Sequence, residues 1–188
     1  HGVGLLTHSM PLGRSAGVKT IAWLYDFQFL HLPQYWKPRH IRWARQWYSA
    51  ACRHCDAVIV SSASALADLQ RFAQTGDAVR HVLRFVSNPV DLPGLPSLDA
   101  LRDRYGIAPG YFYLPNQFWA NKNHTLAIDA LGLLKQRGIE ATIVCTGKTL
   151  DGRQPNYFEK LMQHCASVGV ADRFRVLGIV PYLDTQGL

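Results

Sequence analysis

Apolar and polar positions fall into two separate series of short runs and longer periodic stretches. Lys19 to Tyr25 reads as a short apolar strand ending at Asp26. Trp36 to His54 places Ile41, Ala44, Trp47, Tyr48 and Ala51 at helical spacing, with Arg42, Arg45 and Arg53 largely on other faces. The continuous apolar run Ala57 to Val60 is too short for a helix and predicts a buried strand. Ser61 and Ser62 then offer hydroxyls suited to capping a helix over Ala63–Phe72. Arg80 to Val86 is a further β-rich run, so the order is strand, helix, strand, helix, strand.

The segment Ser87 to Pro96 holds three prolines and a glycine without periodicity and predicts a linker. A second alternation starts after it. Ser97 caps a short helix ending near Gly106, and Tyr111 to Leu114 is a strand. Asn123 to Arg137 is a helix stopped by Gly138, and Ala141 to Cys145 is a strand. Pro155 to Val168 is a helix stopped by Gly169, Phe174 to Leu177 a strand, and a further helix is due near Thr185 to Leu188. The pattern predicts an α/β protein with two parallel-sheet units, 1–90 and 91–188. Both are expected to be incomplete. His1 to Leu6 lacks a basic stretch followed by a long apolar run, so the chain reads as an internal part of a longer protein.

Composition narrows the choices. An apolar share of 48% in 188 residues can build cores, which excludes wholesale disorder. No run approaches the roughly 20 apolar residues of a membrane-spanning helix. Twenty Lys+Arg against 13 Asp+Glu give a net charge of +7, which favours an anionic partner: nucleic acid, an acidic membrane or a phosphorylated small molecule. Lys37, Arg39, Arg42, Arg45, Arg53 and Arg71 gather much of that charge; a solvated cationic face is the plain alternative. Of the four cysteines only Cys52 and Cys55 are closely spaced, which is half a zinc site. The pair closes a helix rather than opening one, which argues against redox chemistry. A reducing, cytoplasmic compartment fits this usage.

In a parallel sheet, ligands bind beyond the carboxyl ends of the strands. Four such ends carry polar residues: Asp26, Ser61-Ser62, Pro115 to Lys122, and Thr146-Gly147-Lys148. Lys122 stands at the start of a strongly periodic helix, where a cation opposes the helix dipole and an incoming phosphate would resolve the conflict. Asn116, Gln117 and Asn123 can add neutral hydrogen bonds. A second reading stands beside this one: Asn121 or Asn123 caps the helix and Lys122 is solvated. Phe118 and Trp119 read as packing residues. Thr146, Gly147 and Lys148 fit either a phosphate-facing loop or a simple turn. Asp26 fits a sugar hydroxyl or a turn cap equally, and His31 reads as a loop residue rather than a base.

These motifs together resemble group 1 (family 4) glycosyltransferases. Leu24-Tyr25-Asp26-Phe27-Gln28 with Leu30-His31-Leu32-Pro33 is similar to the end of a late strand in their first Rossmann domain. AVIVSSASALAD over 57–68 resembles their strand-Ser-Ser-helix element. YFYLPNQFWANKNHTLAIDAL over 111–131, with Val144 to Lys148 and Val176-Leu177-Gly178, is similar to a mannosyltransferase-like subgroup. The resemblance implies a GT-B architecture of two Rossmann-like domains, the acceptor mainly on the first and a nucleotide-diphosphate sugar mainly on the second. It implies a retaining hexosyl transfer to a glycan or lipid-linked acceptor, as in polysaccharide assembly, with no metal or other cofactor. Lys122 matches the family lysine that contacts the donor diphosphate, where it would offset charge on the leaving group. Two departures stand out. Gln117 replaces an arginine common five residues earlier, which leaves Lys148 as a substitute cation, and Tyr25 replaces a histidine that contacts the transferred sugar. The family's glycine-rich loop would precede His1 and its Glu-rich motif would follow residue 188, so this stretch is expected to be inactive by itself.

Other function classes are weaker. The alternative is a non-catalytic binding module with a GT-B-like shape, recognising an acidic partner through its charge. Nucleic-acid binding lacks a recognisable motif and is not expected. The basic helix Lys37–Arg53, with Trp36, Trp43 and Trp47, suggests peripheral contact with anionic lipid at the inner membrane face; core packing of the tryptophans is the alternative.

Overall fold

In the computed structural model, which describes residues 2–8, 11–12, 17–73, 76–86 and 92–188, the chain separates into two units, His1–Pro89 and Val90–Leu188. The first holds four parallel strands in sequential order: β1 (Leu5–Thr7), β2 (Lys19–Leu24), β3 (Ala57–Val60) and β4 (Val79–Val82). Its helices are α1 (Gln28–His31), α2 (Pro38–His54) and α3 (Ala63–Phe72). Period-two alternation sends Ala22, Leu24, Val58 and Val60 to one sheet face, where all are fully buried. Ala44, Tyr48, Ala51 and Cys52 of α2 and Leu69 of α3 cover that face. Each buried Val or Leu there contributes about 1.5–3 kcal/mol. Aromatic rings fill the remaining space: Phe27 and Phe29 meet Tyr48 edge-on at 5.2 and 5.3 Å. The other sheet face, with Ile21, Trp23 and Ile59, is only half-buried.

Local chemistry trims the predicted elements. The helix expected from Trp36 begins at Pro38, because a residue before proline is pushed into extended backbone; Lys37 sits at φ −72°, ψ 141°. Pro33–Tyr35 form a separate 3-10 turn. The last predicted strand of this unit ends at Val82 rather than Val86. The three-residue β1 and four-residue α1 are too short for periodicity to reveal. Of the predicted linker, residues 87–91 lie outside the described residues.

The second unit has three parallel strands, β5 (Tyr111–Pro115), β6 (Thr142–Thr146) and β7 (Phe174–Gly178), again in sequential order. Helices α5 (His124–Gln136) and α6 (Tyr157–Val168) pack side by side, as do α4 (Leu98–Tyr105) and α7 (Tyr182–Gly187). Central β6 is buried on both faces through Ile143, Val144, Cys145 and Thr146. Phe118, Ile128, Leu131, Leu161 and Val170 complete this core. Asp184 of α7 is buried and accepts from Arg104 at 2.7 Å and from the Tyr105 hydroxyl, which fastens α7 to α4. Those hydrogen bonds hold its carboxyl below the usual range. The final helix starts at Tyr182, ahead of the Thr185 expected from sequence.

All four cysteines are free and buried. Cys52 lies in the last turn of α2 and Cys55 follows it as the C-cap. Burial raises each thiol's pKa, that of Cys145 to about 12. Among the described residues no helix is long and apolar enough to cross a membrane, and no cluster of three or more metal-ligating side chains occurs.

Candidate functional site

The carboxyl ends of β5, β6 and β7 converge on a cavity of about 330 Å³. Asn116, Gln117, Thr146, Gly147 and Lys148 line it, together with Ile179, Val180 and Thr185. Backbone bonds lace the three strand ends together. Gly147 donates to the Gly178 carbonyl at 2.7 Å, and Phe118 donates to the Lys148 carbonyl at 3.0 Å. Gly147 has φ +137°, and a Cβ there would lie 2.3 Å from the Asn116 carbonyl oxygen. The close approach of the β5 and β6 loops therefore requires glycine. The Gln117 Oε1 accepts from the Lys148 backbone N–H at 2.8 Å, so this side chain organises the loop that carries Lys148. The Thr146 hydroxyl is engaged with Tyr113 at 2.7 Å.

Lys122 and Asn123 do not line this cavity. Lys122 closes a 3-10 turn, Ala120–Lys122, and is exposed. Asn123 follows in the left-handed region at φ +53°, and α5 begins at His124. Neither Asn121 nor Asn123 caps α5 with its side chain: Asn121 instead accepts from Arg153 at 3.0 Å. Phe118 is fully buried, as expected of a packing residue, and its ring stacks on His124 at 4.5 Å. His124 is buried, and neither ring nitrogen finds a hydrogen-bond partner. Burial, reinforced by the charge of Lys122, lowers its pKa and keeps the imidazole neutral.

Two residues that hold this loop escaped the sequence reading. Asp151 is buried and accepts from the Ala120 N–H at 3.2 Å and the Arg153 N–H at 2.9 Å. Burial acts to raise its pKa, but these bonds and the guanidinium of Arg153 outweigh it and hold the carboxyl below its usual range. The same guanidinium lies 5.3 Å from the Trp119 ring centre. Arg153 thus braces both residues flanking the Ala120 turn. Both Asp151 and Arg153 sit in an irregular segment after β6, where spacing carries no signal; only the pairing of an acid and a base two residues apart hinted at them.

In the first unit, a separate cavity of about 400 Å³ lies beyond β2 and β3. Tyr25, Asp26, His31, Ser61, Ser62 and Asp68 are among its walls. Asp26 Oδ1 accepts from the Gln28 N–H at 3.0 Å, which is the turn cap, while the residue also faces the cavity. Ser61 donates to the Tyr25 carbonyl, and Ser62 caps α3 by accepting from the Ala65 N–H at 3.1 Å. His31 pairs with Asp68 at 2.8 Å.

No protein-family model and no curated protein matches the chain. Solved structures do. The Anabaena protein Alr3699/HepE, solved in complex with UDP and glucose, superposes with a TM-score of 0.65 at 21% identity, covering 90% of this chain and 44% of that one. A glycosyltransferase from Rickettsia africae gives 0.62 at 14% identity, covering 92% and 44%. WaaG, a glycosyltransferase involved in lipopolysaccharide biosynthesis, gives 0.60 at 16%, covering 93% and 49%. The chain therefore shares the GT-B fold of these proteins and spans less than half of their length.

Proposed function

We propose that this chain belongs to a glycosyltransferase that moves a mannose-like hexose, with retention, from a nucleotide-diphosphate sugar to a glycan or lipid-linked acceptor. The observation that carries the reading is Lys122. Its amine is exposed on the turn ahead of a 13-residue helix and has no carboxylate partner among the described residues. A diphosphate is the kind of group such a cation and helix start accommodate. Lys148 adds a second exposed cation on the adjoining strand end, fixed by Gln117. Asn116 and the Thr146-Gly147 backbone line the cavity beside Lys148, and Asn123 follows Lys122 in the turn outside it; all are offered as neutral contacts to the donor.

The chemistry follows from charge. As the bond between sugar and diphosphate breaks, negative charge grows on the departing phosphate oxygens. Fixed cations stabilise that charge more than they stabilise the bound donor, which lowers the barrier without a resident metal. Gln117, tied to the Lys148 backbone, does not replace an arginine's charge; it holds the replacement in place. Asp26, facing the first unit's polar cavity, is assigned to a hydroxyl of the sugar or acceptor.

Calorimetric titration of the chain with UDP-glucose and GDP-mannose tests the donor site. Lys122→Ala is expected to weaken binding about tenfold or more, and in the full-length enzyme to lower turnover about 100-fold. Equal affinity in the variant would remove the basis of the assignment. Nucleotide binding without any transfer by the full-length protein would favour a non-catalytic binding module instead.

A further inference from the structure

Helix α2 carries an outer face that neither core nor neighbouring acid accounts for. Between Asp26 and Asp56 the sequence holds no Asp or Glu, but it holds Lys37, Arg39, Arg42, Arg45 and Arg53. These five cations amount to most of the chain's net charge of +7. The inner face of α2 is spent on the core through Ala44, Tyr48, Ala51 and Cys52. At 100° per residue, Arg39, Arg42, Gln46 and Arg53 fall within one arc opposite that face, and all four are exposed. Among the described residues none of these arginines has a carboxylate partner. Arg45 is different, because its guanidinium leans toward the Phe72 ring at 5.9 Å.

Beside the basic arc stands an indole that packing does not explain. Trp43 is 61% exposed, and its ring lies parallel to that of Trp47 at 6.1 Å with 4° between planes. Trp47 is half-buried and leans on Tyr48, 5.2 Å away, so Trp43 is held at a defined place on the surface. A large rigid apolar ring flanked by unpaired arginines has the two parts that a lipid headgroup layer accommodates. The ring enters the boundary between headgroups and acyl chains, and the guanidiniums meet phosphate.

We infer that the outer face of α2 docks on a bilayer containing anionic phospholipid. This goes beyond the donor-site reading and does not depend on it. The charge alone would suit any polyanion; the exposed indole at the edge of the arc is what selects a membrane. Each arginine near an anionic surface adds about fivefold to partitioning, and the attraction weakens with salt.

Flotation of the 188-residue chain with vesicles tests this. The chain is expected to float with an equal mixture of phosphatidylcholine and phosphatidylglycerol and to stay behind with phosphatidylcholine alone. The triple variant Arg39→Gln, Arg42→Gln, Arg53→Gln should lose about 100-fold in partitioning. Trp43→Ala should lose several-fold while keeping its salt dependence. Because these side chains are exposed, melting followed by circular dichroism should match the parent. Quenching of the parent's tryptophan emission by lipids brominated high on the acyl chain supplies a readout that needs no variant. Equal flotation with neutral vesicles, an unaffected Trp43→Ala, or complete displacement from the vesicles by poly(U) at equal phosphate would each overturn the inference.

Discussion

Gly76 in the first unit and Gly147 in the second use one backbone device at opposite ends of a sheet. Each has a positive φ, +135° and +137°, and a Cβ on either would lie 2.3 Å from a carbonyl oxygen. Gly76 lies between α3 and β4 and packs against Cys52 near the end of α2, at the amino ends of the strands. Gly147 follows β6 and packs against Asn116 after β5, at the carboxyl ends. The first contact seals a core; the second sets the spacing of loops around a cavity. A glycine under the same constraint thus closes a core or shapes a cavity according to which edge of a parallel sheet it occupies.

The largest expected effects test this pairing directly. Gly147→Ala and Gly76→Ala should each cost about 3 kcal/mol in denaturant melts. Only Gly147→Ala should also abolish binding of nucleotide-diphosphate sugars in calorimetry; equal loss in both would show that the two edges are not distinct. Next come the acid clamps. Asp151→Asn should cost about 2 kcal/mol, because the amide keeps one acceptor oxygen and sets its NH2 against the other donor, so the Ala120 and Arg153 N–H groups can no longer both be met. The serine caps follow, alike in both units: Ser62→Ala and Ser97→Ala should each cost about 1 kcal/mol. Smaller still is the exposed His31–Asp68 pair, worth about 0.5 kcal/mol when His31→Asn is compared with the parent.

The shallowest effect is a titration confined to the second unit. His124 has a folded-state pKa below its ordinary 6.5, so the unfolded chain binds the proton more readily. Its contribution to stability is therefore full above about pH 6.5 and is lost as pH falls through the lowered value. His124→Phe, which keeps a ring on Phe118, should flatten stability across that window. The losses from protonating Asp151 and Asp184, whose carboxyls lie below 3.8, begin only at lower pH and should persist in the variant.

Much of this architecture was legible because its elements are long or capped. Helices α3 and α5 and strands β3 and β6 announce themselves through periodicity, Ser caps and short apolar runs, and each falls within a residue or two of its expected bounds. Elements of three or four residues, β1 and α1, give periodicity too little to act on. The site was read in part. Asn116, Gln117, Thr146, Gly147 and Lys148 do converge, because consecutive parallel strands must end side by side. What sequence spacing could not convey is how the polar atoms are shared. Gln117 faces its own loop's partner, Thr146 is occupied by Tyr113, and Arg153 arrives from an irregular segment to hold Asn121.

The distribution of thiols has a practical consequence. Cys52 and Cys55 sit inside one unit, Cys145 and Cys165 inside the other, and all four are shielded from solvent. Alkylation by iodoacetamide can therefore proceed only as each unit opens, and peptide mass mapping would time the two openings separately in a single tube. The wild-type protein already carries its own pair of stopwatches, so the independence of the halves can be measured without attaching a probe.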